Sequence, residues 1–306
     1  MPGNQFLTVQ KLDEAKSLIR LFGLDYDGTV SDGDQFKQPQ VFELVERILA
    51  NGKSVAFITA RAATALKMLV PPLMDLLITN NLSIPCFVAG GNGATLYEIK
   101  KYGPRLIYNN GFKLEHILRV VEAGRKVCDD LGIGVGDLAE KGLETFRKFL
   151  QDDWGGYIPN EIIDVCRPYN GEFFTEEAKV TFVLPKDKSL HGKVVTALNV
   201  ELGGYYHAVA GDDTYVHITR RSEEDGKAVA IKTILNVMGL KENEVATFGD
   251  MPCGNDIGLL SFPYSFTNLD EFVKVKEDLQ SPPYILLNDD LSPVARVHKA
   301  IDYLIS

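Results

Sequence analysis

Residues 21–30 read LFGLDYDGTV. An apolar run of strand length ends in two aspartates one residue apart, Asp25 and Asp27, and turns at once through Gly28-Thr29. Two like charges about 4 Å apart repel by roughly 4 kcal/mol at an effective dielectric of 20, so something in the fold should offset them. Asp and Gly are also ordinary turn formers, and Asp often caps helices. At roughly 5 to 7% usage per residue type, D-x-D-G-T recurs by chance in about one chain of this length in a few hundred. The apolar strand in front makes coincidence rarer, and the pair reads as functional.

Working outward, strand and helix patterns alternate, as in a parallel sheet covered on both faces. LFGLD is the first strand. A helix over about 39–50 places Val41, Leu44, Val45, Ile48 and Leu49 on one face and stops at Asn51-Gly52. SVAFIT (54–59) is a second strand, a helix with Ala62, Ala65, Leu66 and Leu69 in register follows, and PCFVA runs into GGNGATLYE. From residue 96 the character changes. A helix near 113–131, another over about 138–150, the strand KVTFVL, a helix over about 189–202 and the strands GYYHAVA and TYVHIT form an α+β unit. The parallel pattern then resumes with a helix carrying Ile231, Ile234, Leu235 and Met238, the strand EVATFGD, two short segments expected as edge strands, and a last helix with Val294, Val297, Ile301 and Leu304 inward. The expected fold class is α/β: a Rossmann-like parallel sheet built from 1–95 and 221–306, with an α+β domain inserted over 96–220.

A chain of 306 residues suits two domains, because single cores stop growing near about 250–300 residues. A net charge of −10 weighs against nucleic acid or an anionic membrane as partner. No apolar run approaches the ~18 residues of a membrane span. The N-terminal residues lack the basic start and apolar core of a secretory signal, so a cytoplasmic protein, monomeric or homodimeric, is expected. The four cysteines, at 86, 128, 166 and 253, form no metal-binding or disulfide pattern.

In open parallel sheets, ligands sit beyond the carboxyl ends of the strands. Polar residues stand at four such ends: Asp25 and Asp27, Thr59, Asn92 and Asp250. Asp25, Asp27 and Asp250 would form a carboxylate cluster whose repulsion a hard divalent cation offsets, and Mg2+ typically takes one or two carboxylates together with waters and phosphate oxygens. Lys227, in the first turn of a helix, faces the positive end of the macrodipole, so local structure gives it little reason to be there.

Taken in order, these segments resemble the motifs of the haloacid dehalogenase superfamily of aspartate-nucleophile phosphotransferases. LFGLDYDGT matches the first motif, AFIT ending at Thr59 and followed by Ala60-Arg61 the second, Lys227 in KAVAIKTIL the third, and GDMPCGND (249–256) the fourth. The spacing of Lys227 from Asp250 and the segment Asn92-Gly93-Ala94 are similar to the Cof-like sugar-phosphatase branch, which inserts a mixed α/β cap between its second and third motifs. Sucrose-phosphate and trehalose-phosphate phosphatases and phosphomannomutases share that cap type. Ala228 stands where a commoner form has Gly, and a shifted match to Asp225-Gly226 would lose the lysine. The fourth motif is two residues longer than the Cof-like form, which leaves Asn255 and Asp256 both open as metal supports.

The resemblance implies a Mg2+-dependent phosphatase of a small phosphorylated metabolite, a sugar phosphate by preference. Asp25 would be the nucleophile, and Asp27 the acid and base. Gly28, Thr59, Ala60, Arg61, Asn92 and Lys227 would lie around the phosphate. Asp25, the Asp27 carbonyl, Asp250 and Asn255 or Asp256 would hold the metal. Arg61 could touch phosphate or pair with a nearby acid. In the insert, Trp154, Arg167, His207 and His217 are candidates for substrate contact, and Cys253 sits within the fourth motif. A phosphomannomutase-like mutase and a non-catalytic phospho-ligand-binding protein are the alternatives.

Overall fold

The computed structural model describes residues 10–32, 39–61, 63–112, 114–133, 173–176, 179–184, 187–210, 215–220, 226–252, 256–268, 283–286 and 290–306. The expected helix over 138–150, the Trp154-Gly-Gly stretch, Arg167, Cys253 and Asn255 lie outside these residues. The chain divides into two compact units, one formed by 1–109 with 224–306 and the other by 110–223.

The first unit is an eight-stranded sheet. Its strands are β1 (Leu21–Leu24), β2 (Ser54–Ile58), β3 (Cys86–Gly90), β4 (Thr95–Lys100), β5 (Gly103–Asn109), β10 (Val245–Gly249), β11 (Tyr264–Thr267) and β12 (Tyr284–Ile285), in the spatial order β12-β11-β10-β1-β2-β3-β4-β5. Pairing is parallel from β12 through β3 and antiparallel for β4 and β5. The sheet thus runs on to Asn109, past the boundary expected at residue 95. Thr95–Lys100 and Gly103–Asn109 form a hairpin on the edge of the core sheet rather than the start of the insert. β11, expected as an edge strand, lies one strand in, and β12 takes the edge.

Both faces of this sheet are covered. On one side α1 (Pro39–Ala50), α2 (Ala63–Thr79) and α6 (Pro293–Ile305) pack on Phe22, Leu24, Val55, Phe57, Val88, Phe248 and Phe266. On the other α5 (Gly226–Met238) lays Ala230, Ile231, Ile234 and Leu235 on Leu21, Ala56, Ile58, Phe87, Ala89 and Val245. The period-2 alternation of strand side chains sends Phe22 and Leu24 to one layer and Leu21 to the other. Gly23 leaves room for α5: a Cβ there would sit 2.6 Å from the Ile231 Cδ1 atom.

The helix ends follow local chemistry. α1 opens on Pro39 and gives way to Gly52 at φ +71°, the common asymmetry of proline at a start and glycine past an end. α6 is capped by the Ser292 hydroxyl, which accepts from the Ala295 N–H, with Pro293 in its first turn. α2 runs through Pro71 and Pro72, where the sequence suggests a break. Leu69, Leu73 and Leu77, four residues apart, are buried along its inner side, while Pro71 lies exposed.

The second unit is an antiparallel four-stranded sheet, order β6-β7-β9-β8, made of Phe173–Glu176, Lys179–Val183, Tyr215–Arg220 and Tyr206–Ala210 respectively. Val180, Phe182, Ala208, Val216 and Ile218 pack against α3 (Leu114–Asp130) and α4 (Lys188–Leu202), which contribute Val120, Val121, Val127, Val194 and Leu198. α3 can press on the sheet because Gly124 has no side chain: a Cβ would overlap the Phe182 ring at 2.0 Å. Asn199 blunts the β8 edge, donating to the Ala208 carbonyl at 3.0 Å and accepting from the Ala208 N–H at 2.9 Å.

Candidate active site

β1 lies between β10 and β2 with Leu24 level with Phe248 on one side and Phe57 on the other. Residues just past these three ends therefore emerge side by side. The ladder continues one step, with the Asp25 N–H donating to the Phe248 carbonyl at 3.0 Å. This bond holds the buried Asp25 backbone at the carboxyl end of β1.

From the other face α5 delivers Lys227, whose side chain is fully buried. Its ammonium donates to Asp25 Oδ1 at 2.7 Å and to Asp256 Oδ1 at 2.5 Å. The structure thus brings Lys227 together with Asp25 and Asp256, while Asp225 of the shifted match lies outside the described residues. Asp256 accepts the Met251 N–H on its second oxygen at 2.9 Å. Gly249 permits that approach, because a Cβ there would lie 2.7 Å from Asp256 Oδ2. Thr29 donates its hydroxyl to Asp25 Oδ2 at 3.3 Å.

Asp25, Asp250 and Asp256 each bring an oxygen into a group whose members lie within 4.8 Å of one another. Burial is the main force lifting Asp25 to about 7, opposed by the Lys227 charge and reinforced by the Asp256 and Asp250 carboxylates. Asp250 is lifted to about 6 by burial first and by Asp256 next. Burial alone would lower the Lys227 pKa, but the charges of Asp25 and Asp256 outweigh it and hold the ammonium above the usual lysine range. Lys227 therefore stays charged beside these carboxylates. Three clustered carboxylates facing one ammonium leave net negative charge, and a hard divalent cation with oxygen ligands fits that donor set. Of the two metal supports left open by the sequence, Asp256 is in this group, bonded to the lysine.

Asp27 is not part of the group. Its carboxylate accepts two parallel bonds from Arg61, Nε to Oδ2 at 2.7 Å and Nη2 to Oδ1 at 2.5 Å. Any contribution of Asp27 to a metal would have to come from its backbone.

The ends of β2 and β3 interlock. The Thr59 N–H donates to the Ala89 carbonyl, the Thr59 carbonyl accepts from the Asn92 N–H, and the Thr59 hydroxyl accepts from the Arg61 N–H at 3.1 Å. The Arg61 carbonyl accepts from Gly91. Ala60 is the half-buried residue between these anchors. Asn92 and Gly93 both take positive φ, +56° and +86°. A Cβ on Gly93 would lie 2.0 Å from the Gly226 carbonyl oxygen, and one on Gly226 would lie 2.3 Å from the Asn92 carbonyl oxygen. Backbone thus rests on backbone immediately before Lys227, so the Asn92-Gly93 turn sets the height of the lysine. Asn92 Oδ1 is buried with no hydrogen-bond partner among the described residues.

Gly28 is required twice over: its φ is +74°, and a Cβ would lie 2.4 Å from Asp250 Oδ2. Its carbonyl accepts from the Asn268 side chain at 2.9 Å. Asn268 escaped the sequence reading although it follows β11 as Asp25 follows β1, so the same strand-end rule would have found it. Tyr108, on the hairpin assigned to the insert, donates its hydroxyl to the Gly93 carbonyl at 2.8 Å. In the second unit His207 is exposed and His217 half-buried. Register places both on the sheet face away from α3 and α4, with His207 opposite Thr219 and His217 opposite Val209.

No family model and no curated protein matches the chain. Among solved structures, a haloacid dehalogenase-like hydrolase from Bacteroides thetaiotaomicron superposes with a TM-score of 0.60 at 18% identity, covering 92% of this chain and 99% of its own. A candidate HAD/Cof-like hydrolase from Plasmodium vivax gives 0.62 at 19% identity, over 95% and 99%. An IMP-bound IMP-nucleotidase from Plasmodium falciparum gives 0.55 at 12% identity, over 98% of this chain and 72% of that one. These likenesses span both units, and with the strand order they show that the chain has the fold of the haloacid dehalogenase-like hydrolases.

Proposed function

We propose that the protein is a Mg2+-dependent phosphatase that hydrolyses a small phosphorylated metabolite, a sugar phosphate by preference, through an aspartyl-phosphate. The observation that carries this reading is the buried Asp25 carboxylate with the Lys227 ammonium on one oxygen and the Asp250 and Asp256 carboxylates beside it.

Asp25 attacks phosphorus while the bond to the leaving oxygen breaks, splitting one hard displacement into two. Asp27 enters the cycle protonated and gives that proton to the leaving oxygen; as the carboxylate that Arg61 holds, it then takes one from the water that releases phosphate and regenerates Asp25. Lys227 holds Asp25 in place and balances charge as the phosphoryl group arrives. Thr59 and the Ala60 N–H are assigned as donors to the phosphate oxygens, the Arg61 N–H holds the Thr59 hydroxyl in place, and Asn92 fixes the adjoining turn. Asp25, Asp250 and the Asp27 carbonyl, with Asp256 in support, would hold Mg2+, which when bound would supply electrostatic stabilisation of the transferring group. The insert, with His207 and His217 on the sheet face away from α3 and α4, is assigned substrate discrimination.

The test is phosphate release from p-nitrophenyl phosphate and from a panel of sugar phosphates with Mg2+. The panel includes IMP, because an IMP-bound nucleotidase shares this fold over nearly the whole chain. Preference for IMP would move the substrate from sugar phosphates to nucleoside monophosphates and leave the chemistry standing. Interconversion of sugar phosphates without release would identify a mutase. Absence of turnover across the panel, with a thermal shift from one ester, would identify a binding protein.

A further inference from the structure

Two duties were open to Arg61: to bind the phosphoryl group, or to serve a neighbouring acid. We propose that Arg61 is a positioning residue acting through Asp27, an inference that rests on the phosphatase reading above. The Nε and Nη2 donors on one edge of the guanidinium are committed to the two oxygens of Asp27, the planar fork-to-fork match that makes arginine rather than lysine the residue for such sites. Nη1 lies 3.7 Å from the Met68 sulfur. The Arg61 backbone is pinned at both sides, its N–H on the Thr59 hydroxyl and its carbonyl on the Gly91 N–H. The side chain is mostly buried, 19% exposed against 39% for Asp27. A long side chain anchored to the ends of β2 and β3 thus reaches across to the end of β1 and fixes the carboxylate plane of Asp27.

That plane matters because Asp27 lies beyond the end of β1, just ahead of the Gly28 turn, rather than on a strand. Gly28 sits at φ +74° and donates its N–H to the Ser31 carbonyl at 2.9 Å, which holds the turn's backbone, while the Asp27 carboxylate is held by the two Arg61 bonds. Misplacing a catalytic group by about 1 Å can cost on the order of 100-fold. Arg61 supplies the constraint on the Asp27 carboxylate. Its bonds to Asp27 leave the Asp25 carboxylate to Lys227 and Thr29, so each of the two aspartates has its own cationic partner.

The experiment is a double-mutant cycle on p-nitrophenyl phosphate with Mg2+, using the full chain, Arg61→Gln, Asp27→Asn and the double variant, with Arg61→Lys as a fifth protein. A group acting through Asp27 acts on the transition state, so Arg61→Gln should lower kcat about 10- to 100-fold without raising KM. In the Asp27→Asn background the same change should cost less than about twofold. Arg61→Lys keeps the charge but not the fork and should stay at least about fivefold below the parent; if the Gln variant does not fold, the Lys variant carries the cycle. A rise in KM at constant kcat, or an equal loss in both backgrounds, would show that Arg61 works on the phosphoryl group directly and overturn the proposal. Unchanged kinetics in Arg61→Gln would overturn it while leaving the phosphatase standing. A parent chain without turnover on any ester would remove both.

Discussion

At the scale of single residues, the centre is a problem in buried charge. Removing one member of a buried ion pair typically costs about 3–5 kcal/mol, because the partner stays behind uncompensated. Lys227→Met should therefore destabilise the metal-free protein by about 3 kcal/mol or more in denaturant unfolding, and adding Asp256→Asn should recover part of that loss. Asp25→Asn removes a carboxylate from a crowded site, so turnover should vanish while the protein stays folded by circular dichroism. Titration follows the same logic. Asp25 at about 7 and Asp250 at about 6 lie above their unfolded values near 4. The folded state thus holds protons that the unfolded chain releases, and this contribution is full below about pH 4 and lost as pH rises through 6 to 7. A cation bound by these carboxylates would take the place of those protons. The rise in Tm produced by Mg2+ should be small at pH 5 and clearly larger at pH 8, and an equal rise at both would remove the carboxylate cluster as its site.

At the scale of elements, turns place the chemistry that strands support. Gly93 shows this most sharply, since a side chain there meets a carbonyl of the α5 start as well as a strained φ. Gly93→Ala should cost more than about 2 kcal/mol and should reduce kcat further by lifting Lys227 away from Asp25. Elements also show what the sequence could and could not tell. The ends of β1 and β10 were readable because an apolar run stopping at Asp is a local pattern, and the inner faces of α1, α5 and α6 followed from 3.6-residue spacing. The β4–β5 hairpin was misassigned because antiparallel strands on the end of a parallel sheet carry no mark of which sheet they join. The course of α2 through two prolines depended on Leu69, Leu73 and Leu77 finding a core, and tertiary burial of that kind overrides propensity. That Asp256 would share the lysine with Asp25 could not be seen at all. It rests on a contact between residues 202 positions apart at Asp25 and 29 apart at Asp256.

At the scale of the molecule, the two units carry separate cores: the first wraps both faces of its sheet, and the second buries its own sheet under α3 and α4. A chain in which 110–223 is replaced by a flexible linker should still unfold cooperatively and keep the Mg2+-induced rise in Tm, because the carboxylates and Lys227 all belong to the first unit. On the assignment of specificity to the insert, the same chain should lose discrimination among phosphate esters on the substrate panel.

The strand order has a consequence for biosynthesis. β1 receives its second neighbour from β10, which the ribosome makes 224 residues later; at about 5–20 residues per second that is a delay of roughly 10–45 s. Throughout that interval one flank of the nascent half-sheet stands open, and Asp25 waits without its ammonium. Emerging chains should therefore be most vulnerable to aggregation, and most in need of a chaperone, while the insert is being translated.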